Sequence, residues 1–363
     1  MIRKKALIST FHFCPNYGAM LQTYALQEFL RTMFLEVRVL DYRPQYLQNQ
    51  YRYINTYSFA SILMSLWSLP TFFRKKMAFK RFEKNLSLTS GRFYCKEEIT
   101  FQPFEYFFLG SDQIWNPDIT DGFDPVYFGN IPKPSDSYTI AYAASIGKSV
   151  FTKKESTQFK QLIKGISKIA MREDDARELV RKETGEETTV VVDPTILVGG
   201  ECFRKFIHSV NCSGYIFVYT LGADSRVIDV ANEVAKTKGS KIIQVSGVKK
   251  GLFFSKHEVI YDAGVEDFLS LLYHADYVVT DSFHGTAFSI LFHKEFITIP
   301  HKTRGGRMQS LLSKTNLLTR LSQQVSDSLL MSTIDWIDVD NRLERVRTES
   351  KEYIKSVIYD CKK

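Results

Sequence analysis

The chain is poor in several features that would fix its class at once. Its 363 residues include five cysteines, Cys14, Cys95, Cys202, Cys212 and Cys361, with no CxxC pair. An odd number without paired spacing argues against a disulfide framework or a zinc ribbon. Cys14, in a loop next to a motif described below, reads as a half-buried thiol. No apolar run reaches the roughly 20 residues that cross a bilayer. The apolar stretch in "MIRKKALIST" is too short for a secretory leader, and it runs into what looks like a strand. There is no repeat of fixed period, no low-complexity tract and no legible cluster of metal ligands, so neither a metal nor a cofactor is expected. The net charge of +8 comes without a zinc finger, an RNP motif or a basic repeat, which places nucleic acid last among possible partners. With 44% hydrophobic and 24% charged residues, the composition suits a soluble, cytoplasmic protein of two domains, each with its own core.

What is present is a β/α rhythm, given twice. "KKALIST" reads as a buried strand. It is followed by the loop "FHFCPN", a helix over "YGAMLQTYALQEFLRTM" with Met20, Leu21, Tyr24, Leu26, Leu30 and Met33 largely at helical spacing, and the strand "LEVRVLDY". Such a unit implies a parallel pair with a right-handed crossover. Between about 44 and 100 the rhythm breaks into an aromatic, basic stretch, expected as a helical insertion. Strands resume at "YFFLG", "YTIAYAASIG" and "TTVVVDPTIL". A second series opens at "GYIFVYTLG" and runs through "DSRVIDVANEVAKTKG", "KIIQVS", "VEDFLSLLYHA", "DYVVTD", "GTAFSILFH" and "EFITIP". A long charged amphipathic helix ends the chain. The expected organisation is α/β, with two Rossmann-like domains facing across a cleft. The first spans 1–195, the second 196–335, and a helix over 336–363 crosses back onto the first. The active site is expected at the carboxyl ends of the strands.

Four stretches, in order, carry a family resemblance: "NYGAMLQTYALQ" (16–27), "GSDQIWNP" (110–117), "YAASIG" (142–147) and "ADYVVTDSFHGTAFSILFHKEFITI" (275–299). Together they resemble the polysaccharide pyruvyl transferase family over about residues 5–320. The resemblance implies a GT-B-like fold and transfer of a pyruvyl group from phosphoenolpyruvate to a sugar of a surface polysaccharide, such as a capsule or exopolysaccharide, or of its lipid-linked precursor. The product is a cyclic ketal. Phosphoenolpyruvate is then a donor substrate and no cofactor is implied.

The chemistry asks for cations and helix N-termini around a phosphate and a carboxylate. It also asks for groups that move protons to the enol methylene and from a sugar hydroxyl. His284, between a strand and a helix, is the candidate for proton transfer. Gly285 would allow close backbone approach, and the amides of Thr286 and Ala287 are expected to be free at the helix start. Some members of the family carry an arginine two residues before the histidine. Ser282 stands there, so either the donor differs or the cation comes from elsewhere: Arg172 after a strand, or Arg304 and Arg307 around two glycines before a helix. The alternative for Arg172 is a surface pairing with Glu173 or Asp174. In "GSDQIWNP", Asp112 could activate a hydroxyl while Gln113, Trp115 and Asn116 hold a sugar; the alternative is a tight turn with Trp115 packed inside. Asn16 and Gln22 are further candidates for ligand contact.

Two other readings stay open. A nucleotide-sugar glycosyltransferase on the same fold would want a polar clamp, for which Asp262 and Glu266 lie in a plausible region. A catalytically silent sugar-binding subunit is the third. Finally, "SFASILMSLWSLPTFFRKKMAFKRF" (58–82) joins an apolar aromatic stretch to a basic one. It suits peripheral contact with the inner face of a membrane, or packing of a helical hairpin on the first domain.

Overall fold

The computed structural model describes residues 2–51, 69–222, 224–246, 257–300 and 306–360. The chain divides into two compact units. One comprises residues 1–52, 83–198 and 345–363, and the other 53–82 and 199–344.

In the first unit the strands are β1 (Ile2–Ser9), β2 (Phe34–Tyr42), β3 (Leu88–Phe93), β4 (Tyr106–Leu109), β5 (Tyr138–Ala144), β6 (Lys168–Met171) and β7 (Thr189–Val190). They form one parallel sheet in the order β3-β2-β1-β4-β5-β6-β7. Strands buried on both faces read as continuous apolar runs, and β4, "YFFL", is buried at every position. The helices are α1 (Tyr17–Arg31), α2 (Gln45–Gln50), α3 (Leu69–Glu83), α4 (Lys153–Leu162), α5 (Asp174–Thr184) and α6 (Pro194–Val198). Of these, α3 up to Phe82 is grouped with the second unit.

The second unit has β8 (Tyr215–Thr220), β9 (Lys241–Ser246), β10 (Glu258–Ile260), β11 (Tyr277–Thr280) and β12 (Glu295–Thr298), parallel in the order β10-β9-β8-β11-β12. Its helices are α7 (Ser225–Lys238), α8 (Val265–His274), α9 (Phe283–Leu291), α10 (Gly306–Lys314) and α11 (Asp327–Met331). Local signals set their ends. For α7, Asp224 caps the first turn and Gly239, in the left-handed region, closes the last. The last helix, α12 (Trp336–Asp360), has its residues from Arg345 onward in the first unit. There Arg347 Nε donates to the Ile196 carbonyl (2.7 Å) and the Val192 amide donates to Ser350 Oγ (3.1 Å).

Both sheets have the strand order of a Rossmann unit. In each, the order reverses between the first strand and the fourth, β1 beside β4 and β8 beside β11. Loops leaving the carboxyl ends of such a pair diverge to opposite faces and open a crevice for ligands. Two expectations need revision. The stretch 44–100 is not simply a helical insertion, because Leu88–Phe93 supplies the edge strand of the first sheet. "TTVVVDPTIL" is a strand for two residues only. Pro194 then opens α6, with Asp193 Oδ1 accepting from the Thr195 amide at 2.9 Å.

Candidate functional site

The switch point of the second unit is built from β8 and β11. Asp281, directly after β11, accepts from Thr220 Oγ1 (2.9 Å) and from the Leu221 amide (2.9 Å), tying together the ends of both strands. The sequence showed this acid at the end of "YVVTD", but its role depends on a partner 61 residues away. Ser282 follows in extended geometry and caps α9, its hydroxyl accepting from the Gly285 amide at 3.3 Å. His284 therefore lies in the first turn of α9, at the positive end of the helix. It is 6% exposed, and its ring meets that of Phe283 edge to face at 5.1 Å.

Gly285 has a packing reason. A Cβ there would lie 2.4 Å from Thr280 Oγ1 and 3.0 Å from its Cγ2. The first turn of α9 thus sits directly on the last residue of β11, and a residue without a side chain is required whatever ligand binds nearby. The amide expected to be free at Thr286 is bonded to the Ser282 carbonyl (2.9 Å).

Of the basic loop, Arg304 lies outside the described residues. Arg307, half-buried in the first turn of α10, holds its guanidinium 5.9 Å from the centre of the Phe283 ring. Ser282, His284 and Gly285 are thus gathered at the start of α9, and both the His284 ring and the Arg307 guanidinium lie against the Phe283 ring. Arg226, missed from the sequence, is a further cation of this unit, in the first turn of α7 after β8. It pairs with Asp224 and donates to the Pro300 carbonyl at 3.4 Å. Asp262, offered as part of a ribose clamp, is taken by Arg74 at 2.5 Å.

The switch point of the first unit has a different chemistry. Gly110, Ser111 and Asp112 leave β4 beside the end of β1, and Thr10 Oγ1 donates to the Ser111 carbonyl at 2.8 Å. Asp112 has φ +76°, a left-handed conformation that aspartate tolerates better than most residues. Arg172, at the end of β6, is wholly engaged with acids. It reaches Asp193 at 2.9 Å, Asp112 at 3.3 Å and Glu173 at 3.8 Å, with 1% of its side chain exposed. Burial alone would ease the proton off, but the three carboxylates more than offset it and hold the guanidinium above its ordinary pKa. Arg172 is therefore neither the surface partner nor the anion-binding group anticipated; it is the counter-charge that allows the acids to be buried. Asp112 is the most accessible of the three, with 14% of its side chain exposed.

Four other expected contact residues, Trp115, Gln22, Gln113 and Asn116, prove internal, and Asn16 is a helix cap. Trp115 is fully buried, stacked on Phe128 at 5.1 Å with its indole N–H donated to the Tyr127 carbonyl (2.9 Å), so it is core and not a sugar platform. Gln22 is also fully buried. Its amide nitrogen donates to Thr10 Oγ1 (3.0 Å) and the Ala19 carbonyl (3.0 Å), and its oxygen accepts from the Ser111 amide (3.2 Å). Asn16 caps α1, accepting from the Ala19 amide (3.2 Å). Gln113 and Asn116 are buried with their amide nitrogens converging on Gly147, where a Cβ would lie 2.2 Å from one and 2.6 Å from the other. Cys14 is buried and its thiol pKa is pushed far up, first by burial and then by Asp112, so it is no thiolate nucleophile. His12 is buried against Asp41 (3.1 Å).

No group of three or more His, Cys, Asp or Glu among the described residues is placed to hold a metal. Two Rossmann-like units in one chain define a GT-B-like fold. The UDP-GlcNAc 2-epimerase of Methanocaldococcus jannaschii is similar in structure, with a TM-score of 0.50 and 12% identity over 99% of this chain and 100% of that one. The UDP-GlcNAc 2-epimerase of Neisseria meningitidis bound to UDP-GlcNAc (TM-score 0.49, 10% identity, 99% and 100% covered) is also similar. So is the glycosyltransferase SnogD of Streptomyces nogalater (TM-score 0.43, 12% identity, 96% and 96% covered). At 12% identity the likeness to the Methanocaldococcus jannaschii enzyme is one of fold. No curated protein matches the chain in sequence. Its family is nevertheless shown: the polysaccharide pyruvyl transferase model matches residues 16–303, and the chain belongs to that family.

Proposed function

We propose that the protein transfers the pyruvyl group of phosphoenolpyruvate to two hydroxyls of a sugar, in a surface polysaccharide or its lipid-linked precursor. In the balanced reaction the enol methylene gains a proton and becomes a methyl group. Two sugar oxygens bond to C2, the bond from C2 to the phosphate oxygen breaks, and inorganic phosphate leaves with the second hydroxyl proton. The observation that supports this reading best is the grouping of His284 and Arg307 around Phe283, at the start of α9 and at the switch point of a Rossmann unit.

In this reading His284 delivers the proton to the methylene, and Arg307 with the α9 N-terminus faces the donor's anionic groups. At the switch point of the first unit Arg172 is engaged by Asp193, Asp112 and Glu173 and is not offered to an anion, so this unit suits a neutral polyol, with Asp112 accepting a hydroxyl proton.

The test is incubation with phosphoenolpyruvate and a panel of lipid-linked sugars, following phosphate release and acceptor mass. Phosphate release that depends on acceptor, with the acceptor gaining one pyruvate less one water, supports the reading. Consumption of a nucleotide sugar without use of phosphoenolpyruvate would replace it with a glycosyltransferase. Thermal stabilisation by oligosaccharide alone, with no turnover of either donor, would replace it with a sugar-binding subunit.

A further inference from the structure

Helix α3 has two unlike faces. Phe79 and Phe82 are buried, and Phe82 packs on Phe206 with ring centres 4.9 Å apart. On the other side Phe73 is 56% and Met77 62% exposed. These two stand one turn apart, and exposed Lys76, Lys80, Arg74 and Arg81 flank them. At 100° per residue these six positions cover an arc of about 160°. The helix's one acid, Glu83, accepts from Arg43 at 2.8 Å. Arg74 turns to Asp262 (2.5 Å), so the outward charge is carried by Lys76, Lys80 and Arg81.

Phe73 and Met77 also stand on one wall of an open groove of about 880 Å³. Among its other lining residues Asp262 pairs with Arg74 and Asp267 meets His208 (3.1 Å), and Glu258 and Lys241 add one acid and one base. The charge excess therefore belongs to α3.

We propose that this face of α3 docks on an anionic lipid surface. An interface with another protein gathers apolar groups at its centre and sends charge to the rim. Here two apolar side chains are interleaved with cations whose aliphatic stems can lie among lipid headgroups, the pattern of a helix lying in a membrane interface. The complementary surface is a sheet of negative charge over a shallow apolar layer. No described helix is long and apolar enough to cross a bilayer, so contact of this kind is peripheral. The proposal does not depend on the reaction assigned above.

The experiment is co-sedimentation of the full chain with vesicles of phosphatidylcholine alone, and with vesicles in which about a third of the lipid is phosphatidylglycerol. Binding to the anionic vesicles only is expected, weakening as salt is raised toward about 0.5 M. A Lys76→Ser/Lys80→Ser/Arg81→Ser variant should partition about 100-fold less. A Phe73→Ser/Met77→Ser variant should partition about 10-fold less. Lys76→Arg/Lys80→Arg/Arg81→Lys keeps the charge and should bind as the parent does, which separates loss of the surface from loss of the fold. Equal binding to both vesicle types, full binding by the triple serine variant, or retention on RNA without retention on vesicles would each overturn the proposal.

Discussion

A methyl group placed on Gly285 would come within 2.4 Å of the Thr280 hydroxyl. Thr280 ends β11 and its hydroxyl donates to the Tyr219 carbonyl (2.6 Å) while accepting from the Ser282 amide (3.1 Å). The strand end, the cap and the first turn of α9 are thus one packed unit, and the position of His284 is inherited from it. Gly285→Ala should destabilise the protein by about 1–3 kcal/mol, the usual scale for overpacking. Thr280→Ala would cost stability by itself, through the two lost hydrogen bonds. The double variant should cost less than the sum of the two single changes, as measured by denaturant unfolding.

Substitution of His284 separates chemistry from packing. His284→Gln, which keeps much of the volume, is expected to lower turnover with phosphoenolpyruvate by about 100-fold or more per folded molecule. Because the ring is 6% exposed, His284→Ala should also lower the melting midpoint through lost contacts. A glutamine variant that keeps full turnover would exclude the histidine from proton transfer.

For Arg172 the expectation is structural. Arg172→Met leaves Asp112, Asp193 and Glu173 without their shared cation and should cost about 3–5 kcal/mol, as for other broken buried pairs. Arg172→Lys should restore only part, since an ammonium cannot reproduce the fork that reaches both aspartates. In that lysine variant the KM for phosphoenolpyruvate should stay near the parent's, whereas a donor-binding arginine would raise it.

Asp41 gives a pH dependence with a definite sign. Burial alone would raise its pKa, but hydrogen bonds from His12, Arg43 and Arg92 outweigh this and hold it well below the carboxylate range. With the folded value below an unfolded value of about 3.9, the unfolded chain binds more protons as the solution is acidified. The stabilisation is complete above about pH 4 and is lost as pH falls toward the folded value. Asp41→Asn should flatten the acid limb of the unfolding curve, read by urea midpoints across that range.

The sequence by itself determined the doubled β/α order, most strand positions in the two series and the place of His284 shortly after a strand, at a helix start. These rest on alternation, apolar runs and capping residues within a few positions of one another, so local physics suffices. It also sufficed for the order of motifs that marks the family. The edge strand at Leu88–Phe93 was not legible, because a half-exposed strand containing Gly91 has neither a clean alternation nor a continuous apolar run. Only the tertiary structure decided which polar residues face inward. Trp115 looked like a sugar platform until Phe128 and the Tyr127 carbonyl enclosed it. Arg172 looked like an anion receptor until the parallel crossovers placed Asp112, 60 residues before it, and Asp193, 21 residues after it, against its guanidinium. Pairings at that separation are set by strand order and packing, and a buried charge goes to whichever partner those bring within reach.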